Sequence, residues 1–414
     1  VVGGGLAGLS AALSLTGFGH RVELWEQSAH FGGRCRSWYD GQLKRTIDNG
    51  NHLLLSANIN ALAYLDEIGA RQGLREDLPA TYSFFDLHSG ESWRIKLGSL
   101  PFPAWTMKRS GRLPGSSPLD YLALSKLLVA LPGSTVGDHI QRGHRLYKKL
   151  LEPLCYAVMN GSPDEVSAQS FARVLKASLL KGGSASRPLL AREGLGACFI
   201  DPAVAELERR GASLRLHGRL SALERENGRV SALTIADQRI DLGPEDKLVL
   251  AVPPQAAQEF LPKRRFPLVS SAILNLHFRL PIALPEDTPE IIGVIGGTAQ
   301  WIFRRGDMLS VTVSAANGLM GESAERLVAK IWAEVVEVVD YPRNSPPPCR
   351  VIKEKRATFL QSPEAEEMRP AQKGPEENLY LAGDWTATGY PATIEGAILS
   401  GRLAAAEIVR KQRR

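Results

Sequence analysis

The hydrophobic positions of this chain change period as it runs, and the changes mark out its elements. Val1-Val2 ends an apolar strand, and Gly3 to Gly8 interrupts it. Leu6 to Leu15 repeats apolar residues at helical spacing until Gly17 to Gly19 stops the run. Arg21 to Glu26 alternates with the period of two of a half-buried strand. An amphipathic helix is predicted over 58–75, with Leu62, Leu65 and Ile68 on one face, and strand over 80–97. Residues 98–118 are rich in Pro, Gly and Ser; an apolar helix follows from Leu119 to Leu131 and a further helical stretch from about 136 to 160.

Strand patterns return at Ser213 to Leu216 and Val230 to Ile235. Leu248 to Val252 is continuously apolar, as in a parallel strand buried on both faces, and ends at Pro253-Pro254. Ile273 to Leu280, Leu309 to Val313 and Asn378 to Ala382 read as strands. Residues 323–339 and 395–410 read as helices, the latter running into a basic tail, Arg410 to Arg414. Gly293 to Gly297 fits a hairpin turn. Strands alternate with helices at both ends around a mixed middle. That order predicts an α/β chain in which a discontinuous Rossmann-like domain is interrupted by an α+β domain. The boundaries expected are 1–75, 190–260 and 365–414 for the first, and 76–189 and 261–364 for the second.

Composition changes this picture little. With 414 residues, 44% hydrophobic and 23% charged, two globular domains are natural. The net charge of +6 comes without a basic run interleaved with aromatics and without zinc-finger spacing, so no nucleic-acid partner is expected. Cys35, Cys155, Cys198 and Cys349 are far apart, with no CxxC pair. Neither a metal site nor a disulfide framework is implied, and reduced thiols in a cytoplasm are the simple reading. No run of 18 uninterrupted apolar residues exists, so no transmembrane helix is predicted. The opening on Val1-Val2-Gly3 leaves open a preceding stretch, including a targeting segment.

Chemistry enters with Gly3-x-Gly5-x-x-Gly8. Gly3 permits the turn, Gly5 lets backbone approach a pyrophosphate, and Gly8 allows close helix–strand packing. Leu6 and Ala7 open the helix whose N-terminus would face the phosphates. A lone match is weak, but Glu26, followed by Gln27, ends the second strand, where an acidic residue about 20 positions on binds ribose hydroxyls. Gly32-Gly33-Arg34 follows, and Arg34 is placed to reach a pyrophosphate.

These features together resemble the amine oxidase and phytoene desaturase superfamily of flavoproteins. The resemblance implies FAD, held non-covalently, since no cysteine falls in the C-terminal flavin segment. It implies that Asp384 of Gly383-Asp384 meets the ribityl-phosphate region. The helix start at Ala392, Thr393, Ile394 and Ala397 would face the flavin's pyrimidine edge, where a helix N-terminus stabilises negative charge. Leu220 would meet the adenine, Pro253 marks the crossover out of the cofactor domain, and Gly50, Asn51 and His52 lie beside the isoalloxazine. NAD enzymes generally lack the C-terminal element, and a second dinucleotide fingerprint is missing.

A narrower likeness rests on Asp48 to Leu55, Glu152-Pro153-Leu154-Cys155, Ser167 to Phe171, Gln300-Trp301-Ile302-Phe303 and Gly383-Asp384-Trp385-Thr386. These blocks resemble the hydroxysqualene dehydroxylases, the squalene-associated FAD enzymes of bacterial hopanoid biosynthesis. Asn51 departs from the Gln expected there. The likeness implies reductive loss of a hydroxyl, with hydride from reduced FAD and a proton from the protein. His52 is the candidate acid, and Asp48 reads more simply as a loop-ordering carboxylate.

Thr393, where amine oxidases carry a cage aromatic, and a strand Ile273 to Leu280 without Lys argue against an amine substrate. Carotenoid-type desaturation and a non-catalytic isoprenoid carrier stay open. A long apolar isoprenoid substrate implies peripheral membrane association and contact with upstream squalene-pathway enzymes. Leu97 to Trp105, with Leu100, Pro101, Phe102 and Trp105 before Lys108, Arg109 and Arg112, is the expected interfacial segment, extended by the helix 119–131.

Overall fold

The computed structural model describes residues 1–412; Arg413 and Arg414, the end of the expected basic tail, lie outside the described residues. Val2 sits at the middle of a parallel sheet built from four distant parts of the chain. It bridges Trp25 on one side and Leu250 on the other. Beyond them, Glu23–Trp25 pairs in parallel with Ser213–Arg215, and Leu248–Leu250 with Leu379–Leu381. Leu248 to Leu250 and Leu379 to Leu381 are buried throughout, as their unbroken apolar pattern required. The helices Leu6–Gly17 and Ile394–Gln412 cross tightly over this sheet. A Cβ on Gly401 would stand 2.2 Å from the carbonyl oxygen of Ala7, so only glycine permits the approach. The chain's first and last elements therefore form one layer.

The second body is a seven-stranded sheet in the order Cys349–Phe359, Ser270–Arg279, Met308–Val313, Trp301–Arg305, Ile291–Ile295, Thr81–Asp86, Glu91–Lys96. Only the pairing of Ile291–Ile295 with Thr81–Asp86 is parallel. Leu274, Leu276 and Phe278 face one way and pack with Ile331, Trp332 and Val335 of the helix Ala324–Val339. Alternation turns Asn275 and His277 to the opposite face. The expected hairpin at Gly293 to Gly297 is present, joining Ile291–Ile295 to Trp301–Arg305.

Several sequence expectations are corrected. The helix over 58–75 ends at Glu67, because Gly69 takes φ +66° and turns the chain. The helix expected over 119–131 is a 3-10 turn, Pro118–Ala123, followed by a short α-helix, Leu124–Leu128. The stretch 136–160 divides into Val136–His139, a wide π turn Tyr147–Leu151 and an α-helix Glu152–Met159. Pro153 explains the wide turn, since it has no N–H to close the α-helical bond four residues back. Gly196–Ile200 repeats the device ahead of Pro202. Trp105, expected at an interface, is only 3% exposed and stacks edge-on against buried Tyr121.

Candidate active site

The glycine turn is shaped as its spacing requires. Gly3 has φ +108°, and a Cβ there would stand 2.3 Å from the Ala251 carbonyl oxygen. A Cβ on Gly8 would stand 1.9 Å from the Gly3 carbonyl oxygen. In front of Gly5 there is open space, with nothing within 4 Å of a built Cβ. That is the cradle a diphosphate needs: free backbone amides at a helix N-terminus with room to approach. Leu6 and Ala7 are buried in the first helical turn, and Gly33 (φ +57°) passes close to Gly5. The buried Glu26 carboxylate accepts from the amides of Gly4 (2.7 Å) and Ser28 (2.9 Å), which fixes it at the strand end; Gln27 beside it is exposed.

The C-terminal segment comes to the same place. Asp384 is buried and pairs with the Arg34 guanidinium at 2.8 Å across 350 residues of sequence. Asp384 beside it raises the Arg34 pKa above its ordinary value. The Arg34 side chain keeps 43% of its surface open, as expected for a group lining a cleft. The buried Arg369 guanidinium donates to the carbonyl oxygens of Asp384 (3.1 Å) and Thr386 (2.9 Å). Gln361 accepts from the buried Ala392 amide at 2.7 Å. The Thr393 hydroxyl accepts from the Gly396 amide at 3.2 Å, so Thr393 caps the last helix, which begins at Ile394 and carries Ala397 in its first turn. The Glu395 carboxylate turns away from this end and caps another helix, accepting from Asn60 and Ala61 amides at 3.0 and 2.9 Å. Leu220 is buried at the start of the strand Leu220–Glu226, and Pro253 is exposed at the start of the helix Pro254–Phe260.

Between the two bodies lies the segment 48–52. Asp48 accepts from the Ser37 hydroxyl and from the Leu195 amide at 2.9 Å, with Arg305 at 3.5 Å, so its carboxylate orders the loop. Asn275 donates to the Asn49 carbonyl oxygen at 3.2 Å and accepts from the Thr312 hydroxyl at 2.8 Å. The Thr312 hydroxyl in turn accepts from Asn51 Nδ2 at 3.0 Å. This chain of bonds pins Asn49 to Asn51 onto the sheet. A Cβ on Gly50 would meet Asn275 Nδ2 at 3.4 Å and His52 Nε2 at 3.6 Å. His52 is exposed beside Gly50 and faces the cleft. Desolvation, helped by Arg34 and opposed by Asp48, holds its pKa below the ordinary 6.5.

Asn275, Thr312, Gln361 and Arg369 were missed as site residues. Strand alternation already placed Asn275 opposite Leu274 and Leu276, and Thr312 opposite Val311 and Val313; nothing local marks Gln361 or Arg369.

The family model described as flavin containing amine oxidoreductase matches residues 6–409. The chain belongs to the flavin-containing amine oxidoreductase family. Its fold is accordingly a discontinuous Rossmann-like cofactor domain with an inserted α+β domain, and FAD is the cofactor that the two-ended cradle fits. Within the family, the chain is 42% identical over 406 residues to a hydroxysqualene dehydroxylase of Rhodopseudomonas palustris, covering 98% of this chain and 96% of that one. It is 25% identical to a 15-cis-phytoene desaturase of Narcissus pseudonarcissus, over 99% and 79% of the two chains. Among solved structures, a putative protoporphyrinogen oxidase from Exiguobacterium sp. shares the fold with TM-score 0.70 at 17% identity, over 99% and 98%.

Proposed function

We propose that this flavoprotein catalyses the reductive dehydroxylation of hydroxysqualene to squalene. The observation that carries the reading is the end-to-end identity of 42% with a hydroxysqualene dehydroxylase, against 25% for the phytoene desaturase. Bound non-covalently and reduced, FAD supplies the hydride. The segments 1–75, 190–260 and 365–414 would hold it, and 76–189 with 261–364 the isoprenoid. Gly5 and the helix start behind it would receive the pyrophosphate, with Glu26 serving the ribose, Arg34 and Asp384 the phosphate–ribityl region and Thr393 the pyrimidine edge.

The chain's own work is to break the C–O bond. The carbinol carbon is allylic, so departure of water leaves a delocalised cation that hydride quenches. His52 donates the proton that turns the hydroxyl into water. Asn275 and Thr312 position it by pinning Asn49 to Asn51. Thr393 occupies its hydroxyl in capping and offers no aromatic wall to an amine. No helix among the described residues is long and apolar enough to cross a membrane, and the protein meets its substrate as a peripheral protein of the cytoplasmic bilayer face.

The test is anaerobic. Pre-reduced protein mixed with hydroxysqualene should regain oxidised-flavin absorbance while squalene forms one-for-one. Flavin that stays reduced would overturn the reading and favour a carrier. Reduction of the oxidised protein by phytoene would favour a desaturase.

A further inference from the structure

Six of the fourteen large apolar side chains strongly exposed among the described residues fall within 32 consecutive positions: Leu100, Met107, Leu119, Leu122, Val129 and Leu131. Leu119, Val129 and Leu131 are each more than 70% exposed. They are not stray. Tyr121, Leu124 and Leu127 of the same run are buried in the core of the inserted domain, so the run is apolar on both its inner and its outer side. Leu119, Leu122 and Val129 recur at helical spacing on the outer side, with Lys126 among them. A run of short helical turns that needs only its inner side for its own fold and keeps the outer side apolar is built for a second apolar medium.

The parts of this surface are held together. The Trp105 and Tyr121 rings meet edge-on with centroids 5.5 Å apart, which ties the turn Ala104–Met107 to the turn Pro118–Ala123. The Phe102 amide bonds to the Leu180 carbonyl oxygen at 2.8 Å and anchors the strip beside Leu100. Charge selects the medium. Lys108, Arg109 and Lys126 are exposed and pair with no carboxylate among the described residues. Asp120, the one acid of 100–131, is engaged by the Ser117 amide and hydroxyl at 2.7 and 3.1 Å. Apolar side chains rimmed by unpaired cations match an anionic bilayer surface, with acyl chains under the leucines and headgroups at the cations.

We infer that Leu100 to Leu131 forms a lipid-docking face that seats this protein on an anionic membrane, with Leu119, Leu122 and Val129 as the inserted side chains. The face differs from the one the sequence pattern suggested, since Trp105 holds it together from inside. The inference rests on the apolar-substrate reading for its purpose, but its evidence is independent of the reaction.

The FAD-loaded protein should co-sediment with vesicles of phosphatidylglycerol and phosphatidylcholine, and bind pure phosphatidylcholine at least tenfold more weakly. Leu119→Glu/Leu122→Glu/Val129→Glu should cut binding at least tenfold while melting temperature and flavin spectrum stay unchanged. Lys108→Gln/Arg109→Gln/Lys126→Gln should remove the preference for anionic lipid. Failure of the wild type to bind, or equal binding by the glutamate variant, overturns the inference. So does a wild-type dimer that the glutamate variant converts to monomer without any change in vesicle binding. Turnover of hydroxysqualene in detergent micelles should survive in the glutamate variant and be lost on vesicles. If neither protein turns over in micelles, the reaction reading fails, and the vesicle result still decides the docking face.

Discussion

His277 is 2% exposed; its Nδ1 meets the Ser310 hydroxyl at 2.7 Å, and its buried Nε2 has no hydrogen-bond partner among the described residues. Burial lowers its pKa from 6.5 to about 4. The unfolded chain therefore binds a proton below 6.5 that the folded chain refuses until about 4, and stability falls as pH drops through that window. The expected loss is about 3.5 kcal/mol, from about 2.5 pH units at about 1.4 kcal/mol each. Urea midpoints taken between pH 7 and 4 should show it, and His277→Gln should flatten the curve; an unchanged slope would refute the assignment. His52 is shifted the same way, but it lines the cleft. If its imidazolium is the acid, turnover of pre-reduced protein rises as pH falls, with a midpoint below 6.5, and His52→Gln removes both the midpoint and at least 100-fold of the rate. Full turnover in that variant would end the acid role. Asn275→Leu acts one step back. It should lower turnover about tenfold and shift the flavin spectrum by releasing Asn49 and, through Thr312, Asn51, while leaving FAD affinity near wild type.

At the scale of elements, Glu395 shows how the cofactor helix is tied to its neighbour. Its carboxylate, 1% exposed, accepts from the Asn60 and Ala61 amides and from the Asn60 side chain at 2.7 Å, so one helix's side chain caps another helix's N-terminus. Glu395→Ala leaves those donors unpaired and should cost about 2–3 kcal/mol. Glu395→Gln, which keeps an acceptor, should recover part of it, both read by urea unfolding; equal loss in the two variants would show that charge rather than acceptance matters. None of this was legible beforehand, because the bonds span 335 residues. What was legible is local: the Gly3 to Gly8 turn, the first helix and the apolar strand at Leu248. The helix Ala168–Ala177 was not predicted, although Ser167 caps it and Ala168, Phe171, Ala172 and Leu175 are buried along it, because no apolar run announces it. The strand Cys349–Phe359 hid for a different reason. It is an edge strand, and Arg350, Lys353, Glu354, Lys355 and Arg356 obscure its period while guarding the edge. The helix over 119–131 was overread because apolar residues on both sides imitate a long buried helix.

Across the whole molecule, the parallel sheet is assembled from segments that meet only after the inserted domain has been threaded between them. The Arg34–Asp384 pair and the crossing of the first and last helices close that assembly. Arg34 is half open to solvent, so the pair by itself adds little to stability; its weight is in holding two walls of one cleft at a fixed distance. On the proposed reading FAD would span the Gly5 turn and the Asp384 wall, bind only the closed chain and stabilise it by mass action, by about 2.7 kcal/mol at a hundredfold excess over Kd. Stripping FAD should therefore lower the melting temperature, and re-adding it should restore the value in proportion to the logarithm of its concentration. Asp384→Ala removes the partner that orients Arg34 and, on the proposed reading, a carboxylate at the phosphate–ribityl region. It should weaken FAD binding at least tenfold by equilibrium dialysis and shrink the FAD-induced rise in melting temperature, while the melting temperature without FAD moves little. Asp384→Asn keeps a hydrogen-bond acceptor for Arg34 and should fall between the two. Wild-type FAD affinity in Asp384→Ala would mean that the N-terminal turn alone holds the cofactor. The last segment would then serve the flavin's chemistry and not its retention.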